Sequence, residues 1–269
     1  MILAKDTKLV FADVDRTILR SDANGVPTQR VIDAVSRFHD QDGILVPVTT
    51  RSAALMETPG QLLGLRHLGV LDGGATRFNF AVQQQVAEHT RWLAPDKIRA
   101  VVDAIGALCT SVSYEIKYRE HNPANVHTNT IVETAPSVFA VFAKEHETRI
   151  ASILGTLHVE GHPNAYEDSD TLRCMQIVYA GVSKQSGVEA LLRGPYAAIA
   201  PRNIAAIGDG ETDRKMFAAL PSGGLKLAMG NADPLLIEAA DRVEPPVPHV
   251  NDDGFQVALD NFAQGHYRV

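Results

Sequence analysis

Three short, unbroken apolar runs, Leu9–Ala12, Ile44–Val48 and Ile204–Ile207, each stop abruptly at small, polar or charged residues. A run of four or five apolar residues without polar alternation reads as a strand buried on both faces, as in a parallel sheet covered by helices. Helical stripes stand between the runs. Val31, Ile32, Val35 and Phe38 follow a predicted N-cap at Thr28, and Val188, Leu191 and Leu192 precede the third run. This alternation predicts an α/β fold with right-handed crossovers. Ligands of open parallel sheets bind beyond the carboxyl ends of the strands, so chemistry is expected in the residues that follow each run.

Asp13-Val14-Asp15-Arg16-Thr17 follows the first run. Two carboxylates two residues apart can serve one metal and one proton if the chain leaves strand geometry after Asp13 and lets them converge. Without a cation they would repel by roughly 4 kcal/mol at 4 Å and an effective dielectric near 20. A strand that simply ends in a solvated Asp-x-Asp turn is the plainer alternative. After the second run come Thr49-Thr50-Arg51-Ser52. Their hydroxyls and guanidinium suit phosphate oxygens, although Thr50 or Ser52 as a helix N-cap explains the pattern equally well.

The third run leads into Gly208-Asp209-Gly210-Glu211-Thr212-Asp213. A helix starting near Thr212 would bring Asp213 back over Asp209, and paired carboxylates are hard ligands suited to Mg²⁺. A structural Asp-Gly turn is the competing reading. Lys184, at the start of a helical pattern, opposes the helix dipole and so needs another reason to be there. Holding a phosphate and a nucleophilic carboxylate is one reason; an ordinary solvated lysine is the other.

At 269 residues, two domains are favoured over one, and 45% hydrophobic residues suit a proper core. A net charge of −7 argues against a nucleic-acid partner, which needs a basic face. Cys109 and Cys174 are too few for a disulfide framework. With no signal-peptide pattern and no spanning apolar stretch, no membrane association is expected and the cytoplasm is the default.

After Gly73-Gly74-Ala75-Thr76 the pattern changes, and Arg77–Phe80 with Gln84–Val86 reads as an antiparallel ribbon. Residues 82–179 read as an insertion with strand-like stretches and two helical stripes: Ile98, Val101, Val102, Ile105 and Val138, Val141, Phe142. His158 and His162 have a helical metal-ligand spacing, but Gly161 and Pro163 break such a helix, so no zinc site is expected. His121, Asn122, His127 and Asn129 read as loop polarity, although they could meet a sugar; Pro245–Pro248 reads as a rigid connector.

As an ordered set, these segments resemble the haloacid dehalogenase superfamily, and within it the Cof-type sugar phosphatases that include sucrose-phosphate phosphatases. Supporting residues are Gly73-Gly74-Ala75, Gly181-Val182-Ser183-Lys184, Ala228–Ala232 and Asn251–Gly254, and the resemblance spans residues 8 to 262. It departs from the family at Arg16, where the family usually has Gly, at Thr50, which replaces Gly, and at Thr212, which replaces Asn. Arg16 and Thr50 would reshape the substrate entrance, and Thr212 lacks an amide that would help order the metal's surroundings.

The resemblance implies a Rossmann-like parallel-sheet core, residues 1–81 and 180–269, with an inserted α+β cap of the C2 type, residues 82–179. It implies a Mg²⁺-dependent phosphatase acting on a small phosphorylated metabolite. Asp13 would be the nucleophile, Asp15 the acid and base, and Thr49 and Lys184 the phosphoryl-binding groups. Asp13, the backbone carbonyl of Asp15, Asp209 and Asp213 would serve the metal; Thr50, Arg51, Asn231 and Arg173 would contact substrate. A monomer or homodimer is expected. A phosphomutase of the same superfamily, a dehalogenase, which would need neither Asp15 nor Mg²⁺, and a non-catalytic phospho-ligand binding protein are the alternatives.

Overall fold

In the computed structural model, residues 6–19, 25–86, 90–116, 119–121, 134–164, 169, 171–244 and 253–267 are described. The chain forms two compact units: Met1–Gly74, Phe78–Gln85 and Lys184–Val269 make one, and Ala75–Arg77 with Val86–Ser183 the other. Ala75–Arg77 joins the second unit because its backbone is tied there. The Ala75 carbonyl accepts from the Arg91 N–H, and that of Arg77 from the Val86 N–H, both at 2.8 Å.

The chain begins with β1 (Leu9–Ala12), α1 (Gln29–Asp40), β2 (Ile44–Pro47), α2 (Glu57–Leu62), β3 (Leu68–Leu71), β4 (Thr76–Asn79) and β5 (Gln84–Gln85). The second unit follows with α3 (Pro95–Ile105), β6 (Cys109–Ile116), β7 (Arg119–His121), β8 (Val138–Ala143), α4 (Glu147–Thr156), β9 (Val159–Asn164) and β10 (Leu172–Tyr179). The first unit resumes with α5 (Lys184–Arg193), β11 (Ile204–Gly208), α6 (Asp213–Ala218), β12 (Leu225–Ala228), α7 (Pro234–Ala239), β13 (Arg242–Val243) and α8 (Asp253–Gln264).

The first unit is built on a parallel sheet in the order β13-β12-β11-β1-β2. Val48, just past β2, bridges in parallel to Val70 of β3. Strand residues alternate between two apolar layers, as a two-residue period requires. Val10, Ala12, Ala205 and Ile207 pack with Val31, Val35 and Phe38 of α1 and Phe255, Leu259 and Phe262 of α8. Leu9, Phe11, Ile204 and Ala206 pack with Val188 and Leu191 of α5, Met216 and Phe217 of α6, and Leu236 of α7. Each large apolar side chain buried this way contributes roughly 1.5–3 kcal/mol.

Thr28 caps α1, its hydroxyl accepting from the Val31 N–H at 3.4 Å, and Arg37 in the last turn suits the negative end of the helix. Helix α5 lies hard against β3 because Gly187 has no side chain there. A Cβ on Gly187 would fall 2.4 Å from Val70 Cγ1. That close approach fixes the axis of the helix whose first residue is Lys184. The ribbon expected after residue 76 is present: Phe78 pairs with Gln85 and Asn79 with Gln84 in an antiparallel register.

The second unit is an α+β layer, a five-stranded antiparallel sheet in the order β7-β6-β8-β10-β9 with α3 and α4. Ile98, Val101 and Ile105 of α3 are buried as the sequence predicts, in a core shared with Val138, Phe142, Ile150, Leu154 and Ile177. The second predicted helix is a correction, because Val138, Val141 and Phe142 lie on strand β8. The i, i+3, i+4 spacing was coincidental. In Val-Phe-Ala-Val-Phe-Ala the residues of the core cluster are Val138, Ala140 and Phe142, a two-residue period, and β-branched and aromatic residues favour strand.

His162 lies on β9 and is buried, its Nε2 2.8 Å from the Val182 carbonyl, while His158 precedes the strand with φ 53. Asn122, His127, Asn129, Pro245–Pro248, Asn251 and Asp252 lie outside the described residues, as does the side chain of His121. Cys109 and Cys174 are in no disulfide. Among the described residues no helix is long and apolar enough to cross a membrane.

Candidate active site

Because β1, β2, β11 and β12 run in parallel, the loops after them share one edge of the sheet. Asp13 follows β1, Thr49 lies just past β2, Asp209 follows β11, and Asn231 lies beyond β12. The Asp13 N–H still bonds to the Ile207 carbonyl at 2.9 Å, so the residue is held at the last rung of the sheet. The chain then turns sharply, with Ile18 and Leu19 N–H groups both donating to the Val14 carbonyl.

Lys184 holds the buried centre of the site. Its ammonium donates to Asp13 Oδ1 at 2.5 Å and to Asp213 Oδ1 at 2.7 Å, and all three residues are buried. Asp213 Oδ2 accepts the backbone N–H groups of Asp209 and Gly210 at 3.0 and 2.9 Å, which locks the loop after β11 to the start of α6. Asp213 thereby anchors both Lys184 and the loop that carries Asp209. Asp209 in turn has Oδ1 accepting from the Thr17 hydroxyl at 3.1 Å, and Oδ2 is 3.2 Å from Arg16 Nε.

Burial dominates the electrostatics. It pushes the Asp13 carboxyl well above the usual carboxylate range; Lys184 pulls it back, and Asp213 and Asp209 add to the rise. Burial and Asp213 likewise raise Asp209, to about 6, against the pull of Arg16 and Thr17. For Lys184 burial favours the neutral amine, but Asp13 and Asp213 outweigh it and hold the ammonium above its ordinary value.

The Asp13 and Asp15 side chains, expected to converge, are relieved of repulsion by separate cations. Asp15 is half-exposed and sits in an arginine fork: Arg51 Nε donates to both of its oxygens at 3.1 and 2.9 Å, and Nη2 to Oδ1 at 2.6 Å. Thr49 is fully buried and its hydroxyl accepts the Arg51 N–H at 3.1 Å, so it shapes the turn that aims the fork. Thr50 is half-buried beside them. Ser52 does not cap α2, whose N-cap is Met56; its hydroxyl takes the Leu55 N–H in the turn before.

Asn231 meets Arg16, with Nδ2 donating to the Arg16 carbonyl at 3.3 Å and its own carbonyl accepting from Arg16 Nη2 at 3.2 Å. Arg173 lies within β10 of the second unit and pairs with Glu147 at 3.3 Å. Thr212 is the N-cap of α6 but makes no side-chain cap bond. Two contributors were not singled out by the sequence reading: Thr17, and Arg16 as a partner of Asp209. The signal for Thr17 was its place in the Asp-x-Asp-x-Thr run.

Asp13, Asp209 and Asp213 each offer a carboxylate oxygen, and the three atoms lie within 4.8 Å of one another. The donor set is all hard oxygen and buried, which fits Mg²⁺. Both oxygens of Asp213 are held by buried Lys184 and by backbone N–H groups, whereas Asp209 Oδ2 is held by the half-exposed Arg16 guanidinium, so Asp13 and Asp209 are the better direct ligands.

Residues 10–259 match the model of the haloacid dehalogenase-like hydrolases. No curated protein matches the chain. Among solved structures, a phosphatase of the haloalkanoate enzyme superfamily from Bacteroides thetaiotaomicron, BT1666, superposes with a TM-score of 0.74 at 20% identity, covering 95% of each chain. The subclass IIB sugar phosphatase BT4131 superposes with a TM-score of 0.72 at 16% identity, over 95% of this chain and 99% of that one. A protein from Streptococcus mutans UA159 gives 0.75 at 16% identity, over 96% and 99%. At such identities the likeness is one of fold, and the family rests on the match over residues 10–259. With its parallel core, inserted α+β unit and ordered acidic loops, the chain belongs to the haloacid dehalogenase-like hydrolases.

Proposed function

We propose that the protein is a Mg²⁺-dependent phosphatase that hydrolyses a small phosphate monoester, a sugar phosphate or related metabolite, through an aspartyl-phosphate on Asp13. The observation that carries this reading is the Lys184 clamp, one buried ammonium 2.5 Å from Asp13 and 2.7 Å from Asp213 at the sheet edge. A nucleophilic carboxylate must be ionised and aimed. Burial alone would neutralise Asp13, and Lys184 opposes that while fixing its orientation.

Asp13 attacks phosphorus, the phosphorus–oxygen bond to the alcohol breaks, and Asp15 gives the leaving oxygen a proton. Asp15 then takes a proton from the water that attacks the aspartyl-phosphate, releasing inorganic phosphate and restoring Asp13. Arg51 grips both Asp15 oxygens, so a proton and the guanidinium compete for the same atoms. An anionic substrate that draws Arg51 to its own oxygens frees Asp15 for this work. Lys184 has three N–H donors, two of them used by Asp13 and Asp213, and the third serves a phosphoryl oxygen together with the Thr49 hydroxyl.

Asp13, Asp209 and the Asp15 carbonyl would hold Mg²⁺, with Asp213 fixing Lys184 and the Asp209 loop. When bound, the cation supplies positive charge against the phosphoryl oxygens. The names of two structurally similar proteins, a phosphatase and a sugar phosphatase, support the substrate class. The net charge of −7 suits a small metabolite better than a nucleic acid. A cytoplasmic monomer or homodimer completes the reading.

The test is phosphate release from a panel of phosphorylated metabolites in Mg²⁺ and in chelator, with acid quenching to trap phosphate on Asp13. Metal-dependent release with label on Asp13 is expected. Phosphate retained on a different hydroxyl of the sugar would make the protein a mutase, and no reaction with any ester would end the enzymatic reading.

A further inference from the structure

Arg16 stands in the left-handed region, with φ 63, where L side chains rarely rest. Its side chain reaches back to place Nε 3.2 Å from Asp209 Oδ2, while Nη2 donates to the Asn231 carbonyl at 3.2 Å. Asn231 returns the contact through Nδ2 to the Arg16 carbonyl at 3.3 Å. The residue is thus held at both ends, backbone and guanidinium, across the loops that follow β1 and β12. Its partner is unequal to it in exposure: the Arg16 side chain is 44% exposed and that of Asp209 only 4%.

Asp209 Oδ1 is taken by the Thr17 hydroxyl, so Arg16 holds the carboxylate's other oxygen. We propose that Arg16 is an internal competitor for the divalent cation, a positioning residue that sets metal affinity by occupying Asp209 Oδ2. The proposal rests on the metal-dependent reading of this site given above. A cation that ligates Asp209 must share an oxygen with one of these partners and must also approach a fixed positive charge. The guanidinium can yield because it is half in water, whereas the Thr17 hydroxyl is buried with its residue. The site therefore fills only at a higher concentration of free cation than a neutral residue at position 16 would require.

The experiment is Mn²⁺ binding to the purified, metal-stripped protein at pH 8, followed by electron paramagnetic resonance and calorimetry without substrate. The parent is compared with Arg16→Met, which keeps the stem and removes the charge, with Arg16→Gly, which also relieves the backbone, and with Asp209→Asn as the control. Both Arg16 variants are expected to bind Mn²⁺ about five-fold or more tightly, from loss of a partly exposed charge contact. Weaker or unchanged binding in both variants, with the parent binding normally, overturns the role of Arg16 and leaves the phosphatase reading standing. Absence of binding in the parent and in both variants removes the metal site and the proposal together; binding that appears only in the variants supports it.

Discussion

A Cβ on Gly208 would lie 2.6 Å from the Cβ, Cγ and Oδ2 of Asp213. The last residue of β11 must therefore be glycine for Asp213 to fold back over the loop, and Asp213 is what anchors Lys184. Gly208→Ala should displace Asp213 and cost about 1–3 kcal/mol through overpacking. Phosphate release should fall at least about ten-fold, since one buried hydrogen bond of this charged kind is worth about that much or more. Urea unfolding and steady-state kinetics check both effects, and a variant with the parent's rate would separate Asp213 from the chemistry.

Lys184→Met should destabilise the chelated protein by about 3–5 kcal/mol at pH 8, because two buried carboxylates lose their shared cation. The sign follows from the raised Lys184 pKa. Its stabilisation is fully present below the ordinary lysine value of 10.5 and is lost only as pH rises through the higher folded value. In the variant Asp13, already raised by burial, takes up a proton more readily in the folded chain than in the unfolded one. Its stability therefore recovers as pH falls, and the deficit should shrink between pH 8 and pH 5. Equal deficits at both values in denaturant titrations would contradict the charge account.

Asp13→Asn should reduce turnover below about one part in a thousand while leaving melting temperature and phosphate-ester binding close to those of the parent, since an amide is isosteric but not nucleophilic. Acid-quenched reactions should show no phosphate bound to the variant. Retained labelling would move the nucleophile elsewhere.

Chelation should silence phosphate release, and Mg²⁺ should restore it better than Ca²⁺, which tolerates more ligands and longer bonds. Asp209 takes up a proton at about pH 6, and a protonated carboxyl is a poor ligand. The Mg²⁺ concentration needed for half-maximal rate should therefore rise as pH drops below that value. Full activity in chelator would remove the metal from the mechanism.

The strand ends were readable in the sequence because a buried parallel strand is a local pattern, four or five apolar residues closed by a polar break. Lys184 was readable as a residue in the wrong place for its helix. The pairings were not. Arg51 meets Asp15 across 36 residues, Thr17 meets Asp209 across 192, and Arg16 meets Asn231 across 215. No periodicity encodes which long side chain reaches which oxygen. At Val138–Ala143 helical and strand periods overlapped, and the antiparallel pairing with β6 and β10 separates them.

Strand β1 has β2 on one side and β11 on the other, and its last amide contact is to Ile207. The ribosome delivers these neighbours at very different times. At synthesis rates of about 5–20 residues per second, Asp13 waits roughly 10–40 s for β11 to emerge. In that interval the residues of the inserted unit have all been made, with an apolar core of their own. Asp209 and Asp213 follow β11 in the chain, so the cluster around Asp13 cannot close before that strand is made. A chain cut short before Ile204 would carry Asp13 and Lys184 but neither Asp209 nor Asp213, so the acidic cluster is completed late in synthesis, as a property of the closed topology.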